Sequence, residues 1–340
     1  MDIALIGLGN VGRGFAELLR TKMTTLQADY GLEARIVAVA TGSRGTLVDP
    51  DGLDLDTLLK VNAAGDLGAY PTSPSLERGW DSARIAAEST ADVLIEAGPT
   101  NLDTAQPALS IVEAALSSRK HVILANKGPV ALAYNIVKAQ ADEAGVMLRL
   151  EATVMAGTPV IRLGTQDLAG AKITAARGIL NGTTNYMLGQ MEAGKSYSDA
   201  LRDAQAKGYA ETDPSGDVDG WDAAGKLLIL SAAVFGRSIS LQDVDVTGIS
   251  NLGADAVYGA AAAGKHYKLV ATVTPDGASV QPIGIPSSDP LAGVAGANNA
   301  LTYTTDVLGD VTLIGPGAGP RETGFALLSD LLDIHRLRRA

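Results

Sequence analysis

The 340-residue chain contains no cysteine, which excludes disulfides, iron–sulfur clusters, a thiol nucleophile and thiolate-held zinc. Its three histidines, His121, His266 and His335, lie far apart and show no metal-ligand spacing. Aromatic residues make up 4%, and 27 Lys and Arg are outnumbered by 38 Asp and Glu, for a net charge of −11. No basic cluster interleaved with aromatics occurs, so a nucleic-acid surface is not expected. No uninterrupted apolar run approaches the ~20 residues of a membrane span. The opening Met1-Asp2-Ile3-Ala4-Leu5-Ile6-Gly7 lacks the basic segment and small-residue cleavage site of a secretion signal. The expectation is a soluble, cytoplasmic protein whose partners are small molecules or other protein chains.

What is present is apolar. With 46% hydrophobic and 19% charged residues, the chain can bury full cores, and global disorder is excluded. At roughly 100–200 residues per domain, the length suggests two domains. Strands are expected at 3–6, 34–40, 92–96 and 120–124, and helices at 11–30, 54–61 and 104–118. That alternation is the pattern of βαβ units on a parallel sheet. Residues 45–78, rich in Gly, Pro, Asp and Ser, read as an insertion or loop around the 54–61 helix. From about residue 145 the pattern changes, with strands at 147–152, 173–180 and 267–273 and helices at 184–192, 198–207 and 222–235. Residues 276–298 read as a packed, irregular connection, and the last helix as 320–337.

Gly7-Leu8-Gly9-Asn10-Val11-Gly12 fits G-x-G-x-x-G between a strand and a helix. The first glycine permits the tight turn, the second admits a pyrophosphate, and the third lets helix pack on strand. The helix N-terminus supplies N–H groups and a positive dipole. Dinucleotide binding is the expectation, although such a turn can also be only a turn. The second strand runs into Thr41-Gly42-Ser43-Arg44 with no carboxylate for a ribose. Arg44 either pairs with a 2′-phosphate or is a solvated loop residue. NADP is therefore favoured, with NAD left open.

Between Gly220 and Gly236 the only charged residues are Asp222 and Lys226, four apart and on one face. A helix apolar all round is normally buried. A surface ion pair is the plain alternative, but this helix offers no polar face, and buried charges are costly unless used or paired. A lysine there can have a lowered pKa and move protons. Upstream, five acidic residues lie between Glu211 and Asp222. They form either a solvated acidic loop, a calcium site or a recognition site for a substrate ammonium. The spacing lacks the central glycine and terminal glutamate of an EF-hand, which disfavours calcium.

The stretch Ala204-x3-Gly208-Tyr209-Ala210-x2-Asp213-Pro214-x2-Asp217-Val218-x-Gly220-x-Asp222-x3-Lys226 resembles the signature of homoserine dehydrogenases. So do Glu96-Ala97-Gly98-Pro99-Thr100-Asn101, Ala125-Asn126-Lys127-Gly128-Pro129, the block opening Glu151-Ala152-Thr153-Val154, and Gly178-Ile179-Leu180-Asn181-Gly182-Thr183-Thr184. The resemblance covers nearly the whole chain. It is partial at Gly315-Pro316-Gly317-Ala318-Gly319, where Pro316, Pro320 and Arg321 are less typical.

The resemblance implies reversible oxidation of L-homoserine to L-aspartate 4-semialdehyde with NAD(P). It makes Lys226 the proton donor and acceptor and Lys127 a second lysine near substrate and nicotinamide. Glu211 and Asp222 would hold the substrate amino group and hydroxyl region, with Thr183, Tyr209 and Asp217 lining the pocket. Cofactor contacts would come from Gly7, Gly9, Asn10, Val11, Gly12, Ser43, Arg44, Thr100, Lys127, Gly208 and Gly319. Main-chain oxygens of Glu151, Val154, Ala156 and Thr158 would bind sodium, where the residues alone show only a strand and a tight turn. The implied fold is a doubly wound parallel sheet of Rossmann type, 1–135 with 305–340, plus an α+β substrate and dimerisation domain with a mixed sheet, 136–304. The active site is expected where the two meet, in a homodimer without aspartate kinase or regulatory domain. Another NAD(P)-dependent dehydrogenase of an amino-acid derivative, or a nucleotide sensor without catalysis, are the rival readings.

Overall fold

The computed structural model describes residues 1–339. It divides into two compact units: Met1–Gly157 together with the described residues from Gly319, and Thr158–Ala318.

Unit one begins with β1 (Asp2–Ile6), α1 (Asn10–Tyr30) and β2 (Arg35–Thr41). It continues through β3 (Gly45–Val48), α2 (Leu55–Ala63), β4 (Glu77–Arg78), α3 (Ser82–Glu88) and β5 (Val93–Glu96). After these come α4 (Ala108–Ser117), β6 (His121–Leu124), α5 (Lys127–Ala144) and β7 (Leu148–Arg149). The sheet order is β4-β3-β2-β1-β5-β6-β7. The five strands from β2 to β7 in that order are mutually parallel, and β3 and β4 add an antiparallel edge. Ile3, Leu5, Ile36, Val39, Val93 and Ile95 are fully buried. Near-continuous apolar strands of this kind belong to a parallel sheet covered on both faces. The chain winds away from β1 in two directions, to β2 and to β5. Such a switch point opens a crevice at the carboxyl ends of the strands.

Unit two opens with one turn of helix, α6 (Val160–Arg162), then β8 (Ile173–Ile179), α7 (Gly182–Glu192) and α8 (Tyr197–Ala206). It continues as α9 (Ser215–Val218), α10 (Trp221–Phe235), β9 (Val244–Val246) and α11 (Ala254–Ala262). Strands β10 (Lys265–Thr274), β11 (Gly277–Pro286), β12 (Asn298–Thr305) and β13 (Gly309–Pro316) complete it. The mixed sheet has the order β13-β12-β8-β10-β11-β9, with β9 alone parallel to its neighbour. The chain then returns to unit one as α12 (Pro320–Arg339). Gly14 of α1 lets it pack closely, since a Cβ there would lie 2.0 Å from the Pro320 carbonyl oxygen.

Several expectations need correcting. The 45–78 segment is not only a loop, because β3 and β4 extend the sheet edge. The strand at 147–152 shrinks to Leu148–Arg149, and a 3-10 turn over Glu151–Thr153 follows. The buried Asp330 carboxylate of α12 accepts the Glu151 N–H at 3.0 Å and draws the backbone out of the ladder. Residues 277–286, read as irregular, form all of β11, paired with β10 along its length. The units change at Gly157/Thr158 and Ala318/Gly319, later than 135 and 305. Helix α5 joins the β6–β7 layer of unit one, and β13 pairs with β12 of unit two.

Candidate active site

Unit one carries the cradle for a dinucleotide. Gly7, between β1 and α1, has φ +95°, and a Cβ there would lie 2.4 Å from the Ala97 carbonyl oxygen. A Cβ on Gly12 would strike the Gly7 carbonyl oxygen at 2.0 Å. Gly9 differs: its φ is −78°, and a Cβ would meet nothing within 4 Å. The first and third glycines are thus demanded by the protein's own packing, whereas the second leaves open space above the start of α1. Asn10 and Val11 begin that helix, which has no side-chain cap and no acidic residue in its first turn. This arrangement suits an anionic pyrophosphate.

Arg44 lies on the turn between β2 and β3, next to the exposed Ser43. Its Nη1 donates to the Leu8 carbonyl at 3.3 Å and to Asn62 Oδ1 at 2.5 Å, which ties the guanidinium to the glycine turn. A cleft of about 400 Å³ adjoins it, lined by Arg44, Asp66, Arg78 and Trp80 among others. Across the sheet, Asn126 caps α5 by accepting the Gly128 N–H at 3.0 Å and donates to the Pro99 carbonyl at 3.0 Å. Lys127 is the first residue of that helix, and its N–H lies 3.4 Å from the Thr100 hydroxyl. Gly319, with φ +134°, stands just before α12.

Unit two gathers the charged cluster. Helix α10 is buried from Ala223 to Ala232, and Lys226 within it is 8% exposed. Its Nζ donates to Asp222 Oδ2 at 2.7 Å and to the Leu180 carbonyl at 2.6 Å. Lys226 is therefore interior, as the apolar helix requires, and Asp222 is half-buried at the start of the helix. Asn181 Nδ2 donates to both carboxylates, at 2.6 Å to Asp217 Oδ1 and 3.0 Å to Asp222 Oδ2. Its Oδ1 accepts the Thr184 N–H at 2.9 Å and caps α7. Burial pushes the Asp217 carboxyl above its usual range, the Asn181 hydrogen bond opposes this, and the Asp222 charge adds to it. Thr183 Oγ1 donates to the Tyr209 carbonyl at 2.6 Å, and the Tyr209 ring meets Tyr186 edge-on at 5.0 Å. Asp217, Asp222, Lys226, Thr183 and Tyr209 are thus joined in one connected arrangement. Glu211 and Gly208 lie on the exposed loop after α8, where the Gly208 N–H donates to the Gln205 carbonyl at 3.0 Å and the Glu211 carbonyl accepts from the Gln205 side chain at 3.0 Å.

Of the main-chain cation candidates, Glu151, Val154 and Ala156 lie in unit one and Thr158 opens unit two. Met155 and Ala156 both take positive φ, 55° and 48°, so the chain turns sharply there. The Glu151 carbonyl already accepts the Val154 N–H at 3.4 Å, and the Thr158 carbonyl accepts that of Val160 at 2.8 Å. Among the described residues no cluster of His, Cys, Asp and Glu could hold a metal ion.

Two further residues, Asn181 and Glu96, stand out in the structure. Asn181 could have been found as an N-cap, an asparagine just before a helical segment. Glu96, ending β5, is 2% exposed, and burial pushes its carboxyl up to about 7, with hydrogen bonds from Gly98 and Asn126 opposing. Nothing local announces it.

A family model for homoserine dehydrogenase matches residues 159–332. The homoserine dehydrogenase of Methanocaldococcus jannaschii is 39% identical over 336 residues, 98% of each chain. The NAD(+)-dependent homoserine dehydrogenase of Pseudomonas canavaninivorans is 39% identical over 339 residues, 98% of this chain and 96% of that one. A solved hyperthermophilic archaeal homoserine dehydrogenase in complex with NADPH is similar with a TM-score of 0.84 at 29% identity, over 99% of this chain and 98% of that one.

Proposed function

The chain belongs to the homoserine dehydrogenase family, and from that premise we propose how its own residues carry the reaction. It is an NAD(P)-dependent oxidoreductase acting on a CH–OH group, interconverting L-homoserine and L-aspartate 4-semialdehyde. The nicotinamide, when bound, accepts the hydride that leaves the hydroxyl-bearing carbon. Lys226 takes the hydroxyl proton during oxidation and returns it during reduction. One observation carries this assignment: Lys226 is buried, and two of its N–H positions are held by Asp222 and Leu180. In the neutral amine those two N–H bonds are kept and the lone pair takes the substrate hydroxyl proton; in the ammonium that results the third N–H holds that proton and returns it to the substrate oxygen during reduction.

Asp222 and Glu211 bind the substrate ammonium and hydroxyl region, and Thr183, Tyr209 and Asp217 shape the pocket. Lys127, at the start of α5, acts beside the nicotinamide. Gly7 to Gly12, Ser43, Thr100, Gly208 and Gly319 contact the cofactor. Arg44, anchored at the Leu8 carbonyl, binds a 2′-phosphate and favours NADP, with NAD still accepted. Sodium is held by main-chain oxygens of the turn at Glu151, Val154 and Ala156. The protein works as a cytoplasmic homodimer through unit two. Among the described residues no helix is long and apolar enough to cross a membrane.

The test follows reduced-nicotinamide absorbance with L-homoserine and NADP or NAD, with and without sodium. Turnover that disappears in Lys226→Ala, while the fold and NADPH binding persist, supports the reading. Turnover that survives the substitution overturns it.

A further inference from the structure

Glu96 is a buried acid that the reaction as derived does not use. It ends β5 level with Ile6, the last residue before the glycine turn, and with Leu124, the last of β6. Its Oε1 accepts the Gly98 N–H at 3.0 Å, the Asn126 side chain lies close enough to favour the ionised form, and Oε2 is buried with no hydrogen-bond partner among the described residues. Its carbonyl accepts the N–H groups of Ala125 and Asn126, at 2.9 and 3.4 Å. Gly98 has no room for a side chain, since a Cβ would lie 2.6 Å from Oε1. The glycine turn touches the same loop, as the clash built at Gly7 meets Ala97 and Gly98. The turn, the 97–101 loop and the start of α5 therefore converge on one carboxyl group.

Few charges face it. β1 carries only Asp2 and β6 only His121, each at the far end of its strand. Loop 97–101 carries none, and the first turn of α1 offers only the exposed Arg13. On α3, Arg84 and Glu88 pair with each other, and α4 contributes Glu113. On α5, Lys127 follows Asn126, with Lys138, Asp142 and Glu143 farther along.

We infer that the charge of Glu96 sets the balance between the oxidised and reduced forms of a nicotinamide cofactor whose pyrophosphate sits at the glycine turn. The oxidised ring carries a positive charge that the reduced ring lacks. In dry surroundings a carboxylate is weakly screened and acts beyond contact distance. Ionised Glu96 therefore favours the oxidised cofactor, and protonated Glu96 the reduced one. Burial holds this acid at about 7, so both forms are populated near neutrality. The inference rests on the glycine turn being the place where the nucleotide binds.

The experiment measures Kd for NADPH by fluorescence enhancement and for NADP+ by displacement, from about pH 6 to about pH 8, for the wild type, Glu96→Gln and Gly9→Val. The wild-type ratio Kd(NADP+)/Kd(NADPH) should fall on the order of tenfold as pH rises, the equivalent of about one pKa unit. In Glu96→Gln the ratio should be flat. The 2′-phosphate, with its second pKa of about 6, titrates in both cofactors and cancels. A purely structural Glu96 would move both affinities together and leave the ratio alone. A flat wild-type ratio, or a slope that survives in Glu96→Gln, overturns the inference. If Gly9→Val still binds NADPH, the glycine-turn reading falls and takes the inference with it. If Gly9→Val loses NADPH while Glu96→Gln keeps the slope, only the inference falls. Should Glu96→Gln not fold, Glu96→Asp should keep the slope with a displaced midpoint, and an unmoved midpoint overturns the inference.

Discussion

Lys226 and Asp222 stand one helical turn apart on α10, Nζ 2.7 Å from Oδ2, on a helix buried along most of its length. Breaking one side of a fully buried pair costs about 3 kcal/mol, because the other charge is left behind, and the half-buried Asp222 lowers that figure. Lys226→Ala should therefore lower the urea midpoint and also reduce kcat by at least about 100-fold, the scale of general acid–base catalysis. NADPH binding should be kept. Parallel denaturation and steady-state assays check both halves; normal kcat in a destabilised variant would show a purely structural pair.

Asn181 bridges both carboxylates and caps α7. Asn181→Ala should cost about 1 kcal/mol for the cap alone. It should also release Asp217 and Asp222, so that KM for homoserine rises more than kcat falls. Substrate titration at saturating cofactor separates the two effects. Asn181→Asp, which restores a capping acceptor but adds a third negative charge, should recover stability without recovering KM.

The three glycines of the turn should fail differently. Gly9 points into open space, so Gly9→Val should fold with nearly wild-type stability and lose cofactor affinity. Gly7 has φ +95° and no room for a methyl group, so Gly7→Ala should destabilise by at least about 1–3 kcal/mol. Thermal unfolding beside NADPH titration distinguishes them; equal stability losses would refute the division of roles.

Those glycines were legible in the sequence because their spacing falls within one strand–turn–helix, although the contact that excludes a side chain at Gly7 comes from Ala97 and Gly98, distant in sequence. The Asp222–Lys226 pair was legible because two charges stand out in an apolar helix. What stayed hidden depends on partners distant in sequence. β11 contains Gly, Pro and Ser in place of an alternating apolar pattern, and its strand character comes from pairing with β10 from Lys265↔Pro286 to Thr274↔Gly277. Asn181 reaches carboxylates 36 and 41 residues away. Glu96 looks like any polar residue that closes an apolar strand. The pattern changes near residue 145, whereas the change of unit at Gly157 falls within the sharp turn after Glu151 and has no local mark of its own.

Arg44 holds the Leu8 carbonyl and Asn62 from the turn after β2. A hydrogen bond to a charged group contributes about 1.5–3 kcal/mol. Arg44→Ala should therefore weaken NADP by roughly 10- to 100-fold and leave NAD nearly unchanged. Comparing kcat/KM for the two cofactors checks this, and an unchanged preference would assign the arginine to structure alone.

Glu96 also makes folding depend on pH. Its carboxyl is raised from 4.5 to about 7 in the folded protein, so between those values the native state binds a proton that the unfolded chain has released. Stability falls with pH wherever the native state binds more protons. This contribution is therefore fully present below about pH 4.5, declines as pH rises, and is gone above about pH 7. The total is on the order of 3 kcal/mol from the shift of a group this deeply buried. Glu96→Gln has no proton to lose and keeps a similar shape, so it should flatten the decline and exceed the wild type in stability at about pH 8. Guanidinium unfolding of both proteins across that range is the check. Parallel stability curves would mean that the carboxyl gains solvent or a partner in solution.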